Sequence, residues 1–128
     1  MATTEEQLVG VLEAAAGVTQ WLDAPPNTRL NPLVLPQKPT LPAATYTRIG
    51  GAPVNSFDGL DGLDNGVYQI DCYAETAVVA RTLADAIRDA LDASAALGGT
   101  LLDVRTDYEE DPRLYRVSMD WSLWAAES

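Results

Sequence analysis

The sequence predicts an α+β fold: a four-stranded mixed, mainly antiparallel sheet with two helices on one face, in the order α-β-β-α-β-β. Three observations predict it. From Gly66 to Ala74 the side chains alternate, Tyr68, Ile70, Cys72 and Ala74 against Val67, Gln69, Asp71 and Tyr73, which is the period of a half-buried strand. After Ala74 the period lengthens, and Val79, Leu83, Ala86, Ile87, Ala90 and Leu91 recur at helical spacing opposite a mostly charged side. From Leu114 to Ala125 alternation returns at its clearest, with Tyr115, Val117, Met119, Trp121 and Leu123 facing away from Arg116, Ser118, Asp120 and Ser122.

The elements follow in order. Thr3 or Thr4 opens the first helix, because Glu6 and Gln7 each lie three residues on and complete a capping box in either register. Leu8, Val11, Leu12 and Ala15 form its stripe, and Gly17 is the expected stop. An arm follows at 21–42, where six of the eight prolines forbid a helix or a central strand. Leu30, Leu33, Val34, Leu35 and Leu41 make the arm apolar, so it is expected to lie across a surface, either its own domain's or a neighbouring subunit's. Thr45, Tyr46, Thr47 and Ile49 give the first strand, ended by Gly50-Gly51.

Residues 51–65 repeat Asp-Gly and Asn-Gly at turn spacing and read as a mobile polar loop. Asp58, Asp61, Asp64 and Asn65 there do not match the alternating oxygens of a calcium loop, so no metal is expected. Thr76 caps the central helix. Gly98 and Gly99 turn the chain into a strand with Leu102, Val104, Thr106 and Tyr108 on one face and Leu101, Asp103, Arg105 and Asp107 on the other. The strand-helix-strand unit should set its two strands parallel, and the acidic turn at 109–113 should join the last two antiparallel.

At 128 residues the chain is read as one domain. With both helices on one side, the other side of the sheet is left to Gln69, Asp71, Asp103, Arg105, Asp107, Arg116, Ser118 and Asp120, polar and charged in both signs. That suits water or a polar contact with another subunit. A net charge of −11 argues against sequence-independent binding of nucleic-acid phosphates, though not against a wall that DNA slides past. No apolar run reaches the roughly 20 residues of a membrane span. The acidic start MATTEEQLVG lacks the basic region of a secretory signal, and the lone Cys72 forms no internal disulfide, so synthesis in the cytosol is expected.

Catalytic chemistry finds little support. The chain has no histidine, nothing to activate Cys72, and no lysine-bearing phosphate loop. Carboxylate pairs such as Asp71 with Asp103 or Asp120 could do acid-base work, but Arg105 and Arg116 share their face and make ordinary ion pairs the better account. No catalytic residue and no cofactor are assigned.

VYQIDCYAET, followed by ARTLADAIRDAL and closing on YRVSMDWSLW, resembles the tail-completion, or tail-terminator, proteins of long-tailed bacteriophages. The proline-rich LPQKPTLPAATYTRIGGAP and the Asp-Gly loop fit the same pattern, so the resemblance spans residues 36–125. It implies a structural virion protein, assembled in the bacterial cytoplasm, that forms a homo-hexameric ring on the head-proximal end of the tail tube. Such a ring stops tube polymerisation and offers a head-tail joining surface to the connector, while DNA passes through its channel without specific binding. The partners implied are its own copies, the tube protein and the connector or stopper protein. A ring requires two different patches per subunit. The polar face (Gln69, Asp71, Asp103, Arg105, Asp107, Arg116, Asp120) and the arm (Leu33, Leu35) are the candidates. Two other readings stay open: a neck or head-completion protein docking on the portal side, and a small α+β binding module.

Overall fold

The computed structural model describes residues 3–37, 39–53, 63–94, 97–109 and 114–126. Its spine is the strand β3, placed among α1 (Thr4–Ala14), α2 (Ala16–Leu22), β1 (Leu30–Pro32), β2 (Ala43–Pro53), β3 (Leu63–Ala74), α3 (Ala77–Ala93), β4 (Gly98–Glu109) and β5 (Leu114–Ala126). Tyr68, Ile70, Cys72 and Ala74 are buried, as the alternation requires. Thr76 Oγ1 accepts from the Val79 backbone N at 3.2 Å and starts α3. That helix lays Ala80, Leu83, Ala84, Ile87 and Leu91 on the same face of the sheet, with Val79, Ala86 and Ala90 at the rim. From β5, Val117, Met119, Trp121 and Leu123 complete the core.

The sheet runs β1-β2-β3-β5-β4, mixed and five-stranded, where four strands are expected from sequence. The added strand is β1, which pairs parallel with Ala44–Tyr46 of β2. Prolines exclude a central strand but not an edge, where one side needs no donors, and Pro32 ends β1 on that edge. The two strands around α3 are parallel as expected. β5 lies between β3 and β4 and is antiparallel to both.

Three helices, not two, stand on the core face. Thr3 is the N-cap in a full capping box with Glu6, which settles the register. The chain breaks at Ala15, in extended conformation, and resumes as α2 through Gly17, so the expected stop does not occur. Glycine inside a helix costs about 1 kcal/mol against alanine, whereas burying Val18 and Leu22, one turn apart, returns about 1.5–3 kcal/mol each. Trp21 therefore belongs to α2, and the arm starts two residues later. The arm's own domain takes up its beginning: Arg29 donates to the carbonyls of Trp21 at 2.7 Å and Pro42 at 2.8 Å, and pairs with Asp23. Leu30 packs on the core, while Leu33 and Val34 stand 68% and 73% exposed.

Two register breaks reshape the strands. In β4 a bulge falls between Leu101 and Asp103. Leu101, opposite Trp121, therefore takes the inward place expected for Leu102, which is 56% exposed; beyond the bulge Val104, Thr106 and Tyr108 follow the expected phase. In β2 the break leaves Ile49 unpaired. The expected loop at 51–65 is shorter than it read, because Gly51, Ala52 and Pro53 pair with Gly66, Asn65 and Asp64. Gly51 has φ 88°, and a Cβ there would lie 2.3 Å from the Asn65 carbonyl oxygen, so no other residue fits. The rest of that loop, with Asp58 and Asp61, and the turn at 110–113 lie outside the described residues.

Candidate functional site

The sheet face opposite the helices is built in cross-strand rows. Thr45, Asp71, Ser118 and Arg105 form one row, Thr47, Gln69, Asp120 and Asp103 the next, and Ala43, Tyr73, Arg116 and Asp107 a third. All seven polar candidates read from the sequence thus meet on one surface. Alternation in three strands places them there, because each inward apolar residue forces its neighbours outward.

The charges on this face are largely answered within it. Asp103 and Asp120 oppose each other directly, and Arg105 bridges them, donating to Asp103 at 2.5 Å and to both Asp120 oxygens at 3.0 Å. Those hydrogen bonds, the Asp120 pair first, hold the Arg105 guanidinium charged more firmly than usual. Arg116 donates to Asp107 at 2.7 Å, and that contact raises its pKa further. Asp71 is only 8% exposed although no described helix or strand covers it. It accepts from Gln69 Nε2 at 3.1 and 3.0 Å, and Tyr73 Oη lies 3.5 Å away. The opposed acids share an arginine, so this is an ion-paired surface and not the isolated carboxyl pair that acid-base catalysis uses. Cys72 lies on the other face, fully buried, and burial pushes its thiol pKa far up, away from nucleophilic use. Among the described residues no three His, Cys, Asp or Glu side chains gather as a metal site. No described helix is long and apolar enough to cross a membrane.

The arm candidates go elsewhere. Leu33 sits just past β1, at the sheet's outer edge, its backbone N donating to the Tyr46 carbonyl at 3.0 Å. Leu35 is half-buried.

A second cluster escaped the sequence reading. Arg48 faces the helix layer and grips Asp64 with two hydrogen bonds, at 2.7 and 3.0 Å. Thr4 Oγ1 donates to Asp64 at 2.8 Å, and Tyr68 Oη donates to Glu5 at 3.1 Å. The first turn of α1 is thereby clamped to the loop end of the β2–β3 hairpin. The Arg48 hydrogen bond holds the Asp64 carboxyl below the ordinary carboxylate range, against the opposing effect of its burial. Burial and the nearby Glu5 carboxylate push the Tyr68 phenol up to about 12. A signal was present: Ala44, Tyr46 and Arg48 share one phase of the strand, and an inward arginine demands an acid. Asp64 was hidden because its Asp-Gly surroundings read as a solvated turn.

The model of a family described as tail completion protein gp17 matches residues 6–126. No curated protein matches the chain. Among solved structures, a chain from the "Virion of native gene transfer agent (GTA) particle" superposes with a TM-score of 0.63 at 18% identity, over 94% of this chain and 92% of that one. The two share a fold. A crystal structure from Akkermansia muciniphila gives a TM-score of 0.42 at 12% identity, over 67% and 42% of the two chains, and carries no argument.

Proposed function

The chain belongs to the tail completion protein gp17 family, and from that premise we propose that it works as a homo-hexameric ring on the head-proximal end of a phage tail tube. The family places it among structural proteins of the phage tail or neck. The finer reading is that the ring ends tube polymerisation and presents the joining surface to the head connector. DNA then crosses its channel without specific binding.

The observation that carries this reading is the polar sheet face opposite the helices, where Asp103, Arg105 and Asp107 are exposed and Thr45, Asp71 and Ser118 are buried. A face with no described helix over it, bearing Asp71, Asp103 and Asp120 among residues that satisfy them, suits a channel wall. It meets water and a passing polyanion without offering a free cationic cluster. The net charge of −11 points the same way. That the solved neighbour comes from a virion particle agrees with the assembly role.

The test is electron microscopy of tails assembled without this protein. Over-long tubes, or tails of normal length that fail to join heads, both cured by adding it back, are the expected result. Normal infectious particles in its absence would end the proposal. Binding of the purified protein to tube protein or to connector protein, each tested separately, distinguishes tail termination from a portal-side neck role.

A further inference from the structure

Among the described residues both outer edges of the sheet are open. At one end β4 runs for 12 residues, bonded to β5 on its inner side, and no described strand lies beyond it. At the other end β1 covers β2 only from Ala44 to Tyr46, and Thr47–Pro53 has no outer neighbour among the described residues. Monomeric proteins blunt such edges with lysine, proline, inward charges or short strands. β4 has no lysine or proline, and past the bulge at Leu102 its pairing from Asp103 to Glu109 is regular. Its charges give no protection either, since Arg105 is engaged by Asp103 and Asp120, and Asp107 by Arg116.

Each edge also carries exposed apolar side chains. Leu102, Val104 and Tyr108 line β4, and the Tyr108 ring is held against Tyr115 with centroids 4.5 Å apart. Leu33, Val34 and Ile49 line the opposite edge. Leu33 has φ 68°, a left-handed conformation that is strained for an L-residue and persists where surroundings or function maintain it. Strand directions match as well. β2, β3, β5 and β4 alternate, so β4 is antiparallel to β2. When copies are related by rotation about an axis along the strands, β4 of one copy meets the β1–β2 edge of the next in antiparallel sense.

We infer that successive copies join edge to edge: β4 of one adds as a strand beside β1–β2 of the next, packing Val104 and Tyr108 against the neighbour's Leu33, Val34 and Ile49. The occupant is a second copy because both halves of the interface lie on this one chain, at opposite ends of its sheet. Head-to-tail contacts of this kind are what a closed ring requires. The inference rests on the ring reading above and assigns its two contact surfaces.

Disulfide trapping tests it cleanly, because native Cys72 is buried and contributes no background. Thr106→Cys is combined with Leu33→Cys in one variant and with Ile49→Cys in another, and concentrated protein is oxidised. A ladder of covalent oligomers is expected from at least one pair, and monomer from Thr106→Cys alone. Adding Val104→Lys should abolish the ladder while circular dichroism and the urea midpoint stay unchanged. Covalent dimers from Thr106→Cys alone would show a β4–β4 contact and overturn the inference. Rings are scored independently, by electron microscopy of the unmodified protein on tails. Rings without a ladder sink the edge assignment alone; neither rings nor ladder sinks both readings.

Discussion

Replacing Asp64 by asparagine should unfasten the first helix from the hairpin beneath it. The change keeps shape and removes a charge that is 5% exposed, leaving Arg48 with a neutral amide where two charge-assisted hydrogen bonds stood. Removing one partner of a fully buried ion pair costs about 3–5 kcal/mol. The Arg48 side chain is 29% exposed, so water takes up part of the loss, and a cost of about 2–3 kcal/mol is expected. For a domain of this size that lowers the melting temperature by about 8–12 °C. The assay is equilibrium unfolding in urea at a series of pH values. Because the Arg48 hydrogen bond holds the folded-state pKa of Asp64 below its ordinary value of 3.8, its contribution is fully present above that value and is lost as pH falls through the folded pKa. The gap between the parent protein and Asp64→Asn should therefore hold steady near neutrality and shrink in acid. Combining Asp64→Asn with Arg48→Met should give a coupling of about 1–3 kcal/mol. A single-mutant loss under about 0.5 kcal/mol, the range of an ordinary surface change, or a gap independent of pH, would refute the reasoning.

Gly66→Ala should destabilise by about 1–3 kcal/mol, since its Cβ would fall 2.5 Å from the Tyr68 ring and 3.1 Å from the Arg48 guanidinium carbon; an unchanged urea midpoint counts against the packing described. Leu101→Ser should be costly while Leu102→Ser stays within about 0.5 kcal/mol in the monomer, and the reverse ranking would mean that the bulge is misplaced. In alkali, Tyr68 makes the fold weaken as pH rises from its ordinary pKa of 10.0 to about 12, because the unfolded chain ionises first. Tyr68→Phe should flatten that decline, and an undiminished slope would point to another group.

Alternation placed the polar face well. The residues 69, 71, 116, 118 and 120 needed only their phase, because each strand's inward positions are apolar without exception from Tyr68 to Ala74 and from Tyr115 to Leu123. The bulge at Leu102 defeated the same logic one strand away: Leu101 and Leu102 are chemically identical, and only pairing with Trp121 chooses between them. At Gly17 a local stop signal lost to the burial of Val18 and Leu22, a benefit that exists only once the strands and α3 form the surface those side chains meet. The resemblance noted in residues 36–125 and the family match over 6–126 agree, and the match reaches further toward the N-terminus, where the helix pattern is weakest.

Local order, then, was written in the chain. Period two or period 3.6 follows from backbone geometry, and caps such as Thr3 and Thr76 act within a single turn. Decided only by tertiary structure were the edge strand β1, the place of β5 between β3 and β4, and the Thr4–Asp64–Arg48 clamp. Each joins segments far apart in the sequence, where the deciding free energy comes from pairing and burial against a partner that no local window contains.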